Sequence, residues 1–423
     1  MRVLVIGGGV IGVTTAYELG RRGHEVIVLD RRKGPGLETS FANGGLLTPS
    51  MAEPWNAPGS WRVLLGSLCR SDAPLQLRLG ALPSLGTWGV RFLRNARPSA
   101  FEQNTLSNLR LSLYSIQALE ALRAETAIHY GYSGNGCLRL FREAESLRRA
   151  TFVAERRASE GLSFRRLSTQ ETVALEPALA PVADELAGAL HYPIDEVGDA
   201  YLFCTKLTEL ARMAGVEFRF GVEVSRFELK DGRIAAAVVA AQERLIADRY
   251  VIAAGSYSAP FLERIGISLP VRPVKGYSVT FDRLAAEGGL RLPLVDDDLH
   301  AVVVPINGAI RVAGTAEFTG YDQSPNARRI GNLTGLLRKV LPKLSINAAA
   351  AKPWCGLRAM SADGVPIIGP TPIEDLWVNT GHGHLGWTMA VGSAHLLADL
   401  MCGCAPTPDP APFALSRFAR SIF

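Results

Sequence analysis

Hydrophobic and polar positions follow a clear pattern at the start of the chain. Residues 3–6 form an apolar run, which predicts a buried parallel strand. Apolar residues then recur at helical spacing through Val13, Ala16 and Leu19, and a second apolar run covers residues 26–29. Gly23 separates the helical stretch from the second run. The first thirty residues therefore predict a strand, a helix and a second strand.

The remainder of the chain divides into further helical and extended stretches. Apolar residues at helical spacing predict helices at 101–125 and 202–211. A charged surface helix is predicted at 142–160, a capped helix at 168–176, and a helix at 330–341 that Pro342 ends. Short apolar or alternating runs predict strands at 137–141, 216–220, 223–230, 234–241, 249–254, 270–281, 301–306 and 310–314. The dipeptide Asp231-Gly232 predicts a hairpin between two of these strands.

The order of these elements predicts an α/β protein (α+β overall) with two interleaved domains. Residues 191–257 run as helix, strand, meander and strand, which looks like the second half of a dinucleotide-binding domain. We assign residues 1–90, 196–269 and 352–423 to this domain. Residues 91–195 and 270–351 are assigned to a discontinuous second domain, built on a mixed or antiparallel sheet with helices, which would bind the substrate.

Residues 52–100 are rich in Pro, Gly, Trp and Leu and have no regular period. Residues 88–92 read as a helical turn. Core helices of the second domain are the favoured interpretation. A surface element that contacts a membrane or a partner is the alternative, because arginines and apolar residues alternate there.

Composition excludes several classes of function. The chain has 423 residues and a net charge of +5, and no Lys- or Arg-rich block carries interleaved aromatic residues, so we expect no nucleic-acid partner. No apolar run reaches the ~18 residues of a membrane-spanning helix. The six cysteines are scattered and form no cluster with histidine, which predicts reduced, mostly buried thiols and no metal site.

Three glycines connect the first strand to the first helix in G-x-G-x-x-G spacing. Gly7 permits the tight turn, Gly9 lets the backbone approach a pyrophosphate, and Gly12 lets helix and strand pack closely. The helix N-terminus favours phosphate, and Asp30 can accept hydrogen bonds from ribose hydroxyls. The motif alone fits either NAD or FAD. A signal peptide is the other interpretation of this N-terminus, and acidic Glu18 argues against it.

Short polar side chains follow in residues 37–50. Thr39, Ser40 and Asn43 can form hydrogen bonds, and Gly44 and Gly45 allow close approach of the backbone. Helix capping could explain Thr39 and Ser40. A second set of cofactor contacts is favoured because the segment follows the nucleotide motif so closely.

Four motifs in this order resemble the D-amino-acid oxidase-like flavoproteins. They are VIGGGVIGVTTAYEL with its later aspartate, ETSFANGG, RYVIAAGSYS, and GLRAMSADGVPIIG joined to GHGHLGWTMAVGSAHLLADL. The resemblance spans nearly the whole chain. The sequences SFANGG and GHGHLGWTM are most similar to those of the bacterial D-amino acid dehydrogenase branch. Glycine oxidase and sarcosine oxidase are more distant.

The resemblance implies a Rossmann-like domain that binds FAD in an extended form. The residues that it matches to cofactor contacts are Gly7, Gly9, Val10, Ile11, Gly12, Asp30, Arg31, Thr39, Ser40, Asn43, Gly44, Gly45, Leu46, Val224, Ala254, Gly255, Gly381, His382, Gly383, Leu385, Gly386, Trp387 and Thr388. A helix opening at Thr388 would stabilise negative charge on the reduced flavin ring.

The resemblance also implies a substrate site around Arg358, which matches the arginine that binds the substrate carboxylate. His384 and His300 fall near other polar active-site positions, although either could be a structural histidine. Tyr277 could contact substrate or pack in the core. Arg311 could point into the pocket or away from it.

Two departures from the relatives bear on the site. Gly356 stands where sarcosine oxidase attaches its flavin to a cysteine, so we expect non-covalent FAD, with neighbouring Cys355 as the alternative anchor. Val302 stands where glycine oxidase has an aromatic pocket residue, which predicts a pocket of different shape.

The expected reaction is FAD-dependent oxidative deamination of a D-amino acid such as D-alanine. A hydride passes from the α carbon to flavin N5, and hydrolysis gives a 2-oxo acid and ammonia. The partners expected are this small substrate and an electron acceptor such as a quinone or an electron-transfer protein. Alternatives are a secondary or cyclic amine substrate (D-proline, 4-hydroxy-D-proline, sarcosine or glycine), an oxidase, and a subunit without chemistry. The expected location is the cytoplasm, either free or peripheral on the inner face of the cytoplasmic membrane.

Overall fold

The computed structural model describes residues 1–60, 62, 66, 75–282 and 289–419. The α-helices of the described residues are α1 (Val10–Arg21), α2 (Leu82–Arg94), α3 (Pro98–Thr126), α4 (Ala144–Ala158), α5 (Thr169–Leu175), α6 (Ala200–Met213), α7 (Ser258–Glu263), α8 (Ala327–Val340) and α9 (Ala390–Cys402). The strands are β1 (Arg2–Ile6), β2 (Glu25–Asp30), β3 (Leu46–Leu47), β4 (Leu75–Leu77), β5 (Cys137–Phe141), β6 (Arg165–Leu167), β7 (Gly188–Tyr192), β8 (Glu196–Val197), β9 (Glu217–Phe220), β10 (Arg226–Lys230), β11 (Arg233–Val238), β12 (Arg244–Leu245), β13 (Arg249–Ile252), β14 (Val271–Asp282), β15 (Leu294–Asp296), β16 (Ala301–Ile306), β17 (Ala309–Phe318), β18 (Lys352–Ser361), β19 (Ile367–Pro370) and β20 (Leu376–Thr380).

One sheet collects strands from three distant parts of the chain. Its order is β19-β20-β13-β1-β2-β9, and every neighbouring pair is parallel except β19 with β20. Helices α1, α6 and α9 contribute apolar side chains to the core on one face of this sheet. A parallel sheet with helical cover and a glycine turn after its central strand is the Rossmann-like arrangement that the sequence predicts.

A second sheet is mostly antiparallel. Its order is β18-β14-β17-β16-β15-β5-β7-β6, with β4 paired to β17. Strand β15 runs parallel to β5, and β4 parallel to β17, so the sheet is mixed, as predicted. Helix α8 packs on its face. The α/β fold class is confirmed, whereas the division of the chain into five domain segments remains a prediction.

Most predicted elements are present, and several of their bounds differ. The strand predicted at 310–314 continues to Phe318, because its later residues pair with β14 beyond a bulge at Gly276 and Tyr277. The strand predicted at 234–241 ends at Val238, and a short 3₁₀ turn replaces its last residues. The strand predicted at 249–254 ends at Ile252.

Helix α9 begins later than the predicted position, Thr388. Residues Gly383–Leu385 form a 3₁₀ turn, and the α-helix begins only at Ala390. Its early N–H groups already have protein partners, since Gly392 donates to the Ser115 hydroxyl at 3.0 Å. The glycine run therefore lies on a turn, and the α-helix begins two residues later than predicted.

Residues 52–100 contribute to the core where the structure describes them. Trp88 and Phe92 of α2 are buried in a hydrophobic cluster that contains side chains from both sheets, and the Trp88 ring N–H donates to the Met360 carbonyl at 3.1 Å. This agrees with the core-helix interpretation for α2. The rest of the prediction at residues 61, 63–65 and 67–74 lies outside the described residues. Over the described ranges, no helix is both long and apolar enough to span a bilayer.

The prediction of mostly buried thiols is wrong at the end of α9. Cys137 and Cys204 are buried and Cys355 is half-buried, but Cys402 and Cys404 are exposed. Gly403 has a φ of +69° and ends the helix in the left-handed conformation, which turns the chain out to the surface. Cys69 lies outside the described residues.

Candidate active site

A cavity of about 910 Å³ begins at the carboxyl ends of β1, β2 and β13 and extends across the second sheet. The four predicted substrate-site residues Arg358, His384, Tyr277 and His300 all line it. So do most predicted cofactor residues, namely Gly7, Gly9, Val10, Ile11, Asp30, Arg31, Thr39, Ser40, Asn43, Gly44, Leu46, Val224, Ala254, Gly255, Gly381, His382, Gly383, Gly386 and Trp387. Motifs from both ends of the chain thus meet at one cavity.

Four predicted cofactor residues do not line the cavity. Gly12 packs against the turn at Gly7, and Leu385 is buried in the core. Thr388 accepts a hydrogen bond from the Thr48 N–H at 3.0 Å. Gly45 has a φ of +71°, and a Cβ there would lie 2.8 Å from an Ile306 side chain. These four residues lie behind the residues that line the cavity.

The glycine turn has the close contacts that its spacing predicts. Gly7 has a φ of +114°, and a Cβ at this position would lie 2.4 Å from the Ala253 carbonyl oxygen. A Cβ at Gly12 would lie 1.8 Å from the carbonyl oxygen of Gly7. Only glycine fits at these two positions. The absence of side chains there lets α1 begin directly beside β1.

Polar groups around the start of α1 tie it to the segment that follows β2. The Val10 N–H donates to the Ser40 hydroxyl at 3.1 Å. Asp30, at the end of β2, accepts from the Gly8 N–H at 2.5 Å and from the Arg32 N–H at 2.7 Å. Burial raises the pKa of Asp30, while these two hydrogen bonds oppose the rise.

One end of the cavity carries a stacked pair of charged and aromatic groups. The Arg31 guanidinium carbon lies 3.9 Å from the ring centroid of Tyr257, and its Nη2 lies 2.7 Å from a Glu38 oxygen. Tyr257 and Glu38 line the cavity with Arg31. Gln323 joins both by donating to the Tyr257 hydroxyl at 2.8 Å and to Glu38 at 3.3 Å.

Arg358 defines the other end of the cavity. It lies on β18, and its Nη1 is a buried nitrogen with no hydrogen-bond partner among the described residues. Its guanidinium carbon is 5.4 Å from the ring centroid of Trp55. Burial lowers the pKa of Arg358 from 12.5 to about 10, so it remains a cation at neutral pH. A buried, unpartnered guanidinium that lines a cavity can bind an anion from that cavity.

His384 is held beside Arg358 in a neutral form. Its ring stacks on Trp55 with centroids 5.6 Å apart, and its Nε2 lies 3.0 Å from the Met51 carbonyl oxygen. Because a carbonyl only accepts, Nε2 is the protonated nitrogen. Burial and the nearby Arg358 charge lower the pKa of His384, the Met51 hydrogen bond opposes them, and the resulting pKa is about 4. Burial also lowers the pKa of His382, to about 3, and its Nε2 lies 2.9 Å from the Ser393 hydroxyl.

The Tyr277 hydroxyl points into the protein interior. It donates to buried Glu317 at 2.7 Å, and Arg329 Nε donates to the same carboxylate at 3.1 Å. Burial raises the pKa of Tyr277, and the Glu317 hydrogen bond raises it further. The structure therefore favours the packing interpretation for the hydroxyl, while the residue lines the cavity. Lys275, also buried, lies 3.9 Å from Glu317.

His300 and Arg311 occupy different positions relative to the cavity. His300 is exposed at the rim and has a φ of +51°. Arg311 points towards the segment after β2, since it donates to the Asn43 carbonyl at 3.1 Å and to the Thr280 hydroxyl at 3.1 Å. Arg311 supports Asn43 and does not line the cavity. Val302, in contrast, lines it.

Comparison with known proteins identifies the family. A profile of the DAO family, described as FAD dependent oxidoreductase, matches residues 2–400. This chain belongs to that family. D-amino acid dehydrogenase from Paramagnetospirillum magneticum is 43% identical over 424 residues, which is 100% of both chains. D-amino acid dehydrogenase from Chromohalobacter salexigens is 40% identical over 420 residues, covering 99% of this chain and 100% of the relative.

A solved structure shows the shared fold. The crystal structure of glycine oxidase from Geobacillus kaustophilus superposes with a TM-score of 0.77 at 24% identity, covering 98% of this chain and 99% of that chain. Most strands and helices of the DAO-family fold are therefore present in this chain.

The residues at the cavity fit the FAD of this family. Gly9, Val10 and Ile11 line it, so the N-terminal end of α1 faces the space where a pyrophosphate would lie. A Cβ on Gly255 would meet no atom within 4 Å, which shows that backbone borders open space there. Asp30 at the end of β2 stands at the ribose position of such a fold.

Cys355 is directed away from the cavity. Its Sγ lies 3.0 Å from the carbonyl oxygen of Gln323, and it does not line the cavity, whereas its neighbours Trp354 and Gly356 do. This arrangement favours non-covalent FAD. In the described ranges, no group of three or more His, Cys, Asp or Glu residues is placed to hold a metal ion.

Sequence reasoning missed three residues at the Arg358 end. Trp55 lies in a stretch without periodicity, so no pattern marked it. Trp354 stands four residues before Arg358, and the two-residue period of a strand would have placed both on one face. Gly276 stands in VKGYSVTF, where a glycine inside a strand is a signal for close approach of another group.

Proposed function

We propose that this enzyme oxidises D-amino acids to 2-oxo acids and ammonia. The observation that carries the proposal is the unpartnered guanidinium of Arg358 in a cavity that fits FAD. The D-amino acid dehydrogenases that cover the full chain support the same substrate class.

Arg358 would bind the substrate carboxylate. A guanidinium offers two parallel N–H groups to a carboxylate, which fixes both position and orientation. The carboxylate would supply the hydrogen bond that Nη1 lacks. Because this nitrogen is buried, the new bond would form in a site of low dielectric constant, where charge-assisted bonds are strong.

The aromatic wall beside Arg358 would prepare the substrate amine. Trp55 and Trp354 line the cavity and exclude water beside the Arg358 cation, and desolvation next to a like charge disfavours an ammonium ion. The neutral amine can use its lone pair to form the C=N bond as the Cα–H bond breaks. Bound FAD supplies the acceptor for the hydride. Water then adds to the imine and releases ammonia.

His384 would act as a positioning residue in this scheme. It is neutral at pH 7, and its protonated nitrogen is directed to the Met51 carbonyl. It therefore holds the Trp55 ring against Arg358 and leaves no proton for the reaction at Nε2.

A substrate panel tests the proposal. The purified FAD enzyme is assayed with D-alanine, D-phenylalanine, their L-enantiomers, D-proline, 4-hydroxy-D-proline and sarcosine, using an artificial dye as acceptor. Dye reduction with ammonia release from D-alanine but not L-alanine is expected. Activity confined to D-proline, 4-hydroxy-D-proline or sarcosine would replace the proposal by a secondary-amine dehydrogenase. No activity on any amine would refute it.

We also propose a quinone or an electron-transfer protein as the electron acceptor, in the cytoplasm. Peroxide release in air compared with quinone reduction tests the acceptor. Peripheral attachment to the inner membrane face is supported by exposed Val90 and Leu93 on α2 and by exposed Arg97 beyond its end. Co-sedimentation with anionic vesicles that 0.5 M salt does not abolish would favour attachment, and recovery in the supernatant at every salt concentration would contradict it.

Non-covalent FAD is part of the same proposal. Acid precipitation of the protein is expected to leave all of the yellow flavin in the supernatant. Flavin in the pellet that a Cys355→Ser variant no longer retains would contradict it.

A further inference from the structure

Two glycines face each other across neighbouring strands on the wall of the cavity. Gly276 of β14 pairs in register with Gly356 of β18, and both line the cavity. Because directly paired residues share one face of a sheet, this face lacks side chains at two adjacent positions. Trp354 and Arg358 stand two residues on either side of Gly356 and belong to the same face.

The Arg358 guanidinium lies over Gly276. A Cβ built on Gly276 would stand 2.2 Å from Nη1, 2.4 Å from Cζ and 2.7 Å from Nη2 of Arg358. These three are the nearest heavy atoms to that point, so the glycine surface is covered by the guanidinium itself. Any side chain at position 276 would displace this group.

The Trp354 indole lies over Gly356 in the same way. A Cβ on Gly356 would stand 2.2 Å from Cη2, 2.4 Å from Cζ2 and 3.2 Å from Cζ3 of the ring. The indole and the guanidinium therefore lie side by side on the paired glycines. One presents a buried cation without a partner, and the other presents an apolar ring.

We propose that the Gly276–Gly356 pair sets substrate recognition by holding Arg358 and Trp354 flat on the sheet, so that Arg358 receives the carboxylate and Trp354 packs against an apolar substrate side chain. Gly276 acts through Arg358, and Gly356 acts through Trp354. The favoured substrates are amino acids with neutral apolar side chains. This inference rests on the proposed carboxylate role of Arg358.

Alanine at either position is compatible with the backbone. Neither glycine has a positive φ, so an L-residue can adopt the local conformation. The nearest obstacles are the far ends of long side chains, which can move. We therefore expect both variants to fold and to bind FAD, with the damage confined to the orientation of Arg358 or Trp354.

The first test is a double-mutant cycle with D-alanine and a dye acceptor. Gly276→Ala is expected to raise KM about 10-fold, with kcat changed by less than about 3-fold. In an Arg358→Ala background the same glycine substitution should change KM by less than about 2-fold, because the group through which it acts is gone. Equal effects in both backgrounds would overturn the role of Gly276.

The second test compares D-phenylalanine with D-alanine. Gly356→Ala should alter the ratio of their kcat/KM values by about 10-fold or more, since a contact with the side chain discriminates at that scale. Gly276→Ala should lower kcat/KM for both substrates to a similar extent. An unchanged ratio in Gly356→Ala would overturn the role of Trp354.

Controls separate this inference from the proposed function. Gly335→Ala on α8 is exposed with no atom near its Cβ, so its kinetics should match the wild type. If Arg358→Ala leaves KM unchanged, the proposed carboxylate role of Arg358 fails and the glycine inference fails with it, whereas the substrate panel still decides the proposed reaction. If Arg358→Ala raises KM but Gly276→Ala does not, only the glycine inference fails. Should Gly276→Ala not fold, the Gly276→Ala/Arg358→Ala variant must fold, and its failure to do so would refute the steric argument.

Discussion

Replacing Arg358 by methionine is expected to make the protein more stable and its substrate binding weaker. The guanidinium is buried, its Nη1 has no hydrogen-bond partner among the described residues, and its contact with Trp55 is a single cation–π interaction at 5.4 Å. Methionine keeps an unbranched apolar side chain of similar length and removes the charge. The substitution therefore isolates the cost of keeping this cation in the fold.

The size of that cost follows from the pKa of Arg358. Burial lowers it from 12.5 to about 10, which corresponds to about 3 kcal/mol at neutral pH. Loss of the contact with Trp55 offsets about 1 kcal/mol. The net gain of roughly 2 kcal/mol should raise Tm by about 2 °C, because the unfolding entropy of a chain of 423 residues is about 0.9 kcal/mol/K. Since the unfolded chain holds this proton more tightly, the penalty is fully present below pH 10 and declines as pH rises towards 12.5.

Two assays on the FAD-loaded protein test whether Arg358→Met gains stability and loses substrate binding. Thermal unfolding at pH 7.5 without substrate should give a higher Tm for Arg358→Met than for the wild type. Steady-state kinetics with D-alanine should give a KM raised by ~100-fold, from the loss of charge-assisted bonds of ~2–3 kcal/mol.

A Tm several degrees below the wild type, together with an unchanged KM, would refute the reasoning. It would mean that the Arg358 charge has a stabilising partner in the fold and no ligand in the cavity. A higher Tm with an unchanged KM would keep the stability argument and refute the carboxylate role. Gly335→Ala serves as a control for substitution effects remote from the cavity.

Three further outcomes are expected. Gly12→Ala should abolish FAD binding, because its Cβ would lie 1.8 Å from the Gly7 carbonyl oxygen, and flavin absorbance of the purified protein measures this. Glu317→Gln should cost about 3 kcal/mol by removing the buried carboxylate charge that Arg329 and Lys275 contact, and its Tm should fall accordingly. Asp195→Asn should flatten the pH dependence of Tm between pH 4 and 7. Burial raises the pKa of Asp195 to about 7, so the folded wild type keeps a proton that the unfolded chain releases, and its stability falls as pH rises from 4 to 7. Parallel plots of Tm against pH for the variant and the wild type would contradict this.

Local patterns predicted the cofactor end of the site well. The apolar run at residues 3–6, the glycine spacing and the terminal Asp30 each act within a few residues of chain, and the structure places them around one turn. The capping box at Ser168 and Glu171 is another local signal that gave the correct helix start.

The substrate end depends on contacts that no local pattern encodes. The Tyr277 hydroxyl finds Glu317 forty residues later, across a bulged strand pair, so its direction could not be predicted from spacing. Trp55 meets His384 from a segment without periodicity. The start of α9 moved to Ala390 because the glycine run preferred a 3₁₀ turn, which helix propensity at Thr388 did not reveal.

The strand order of the first sheet has a consequence for how the protein is made. Strand β1 pairs early with β2, but its other neighbour is β13, and β20 must then join β13. Some 370 residues separate the end of β1 from the start of β20, which at ~5–20 residues per second takes roughly 20–75 s of synthesis. During that interval an apolar strand edge stays unpaired in the nascent chain. Because Gly381 and Trp387 line the cavity and follow β20, the complete FAD site forms only when nearly the whole chain has been made. Newly made chains should therefore need a chaperone or low concentration to avoid edge-to-edge association.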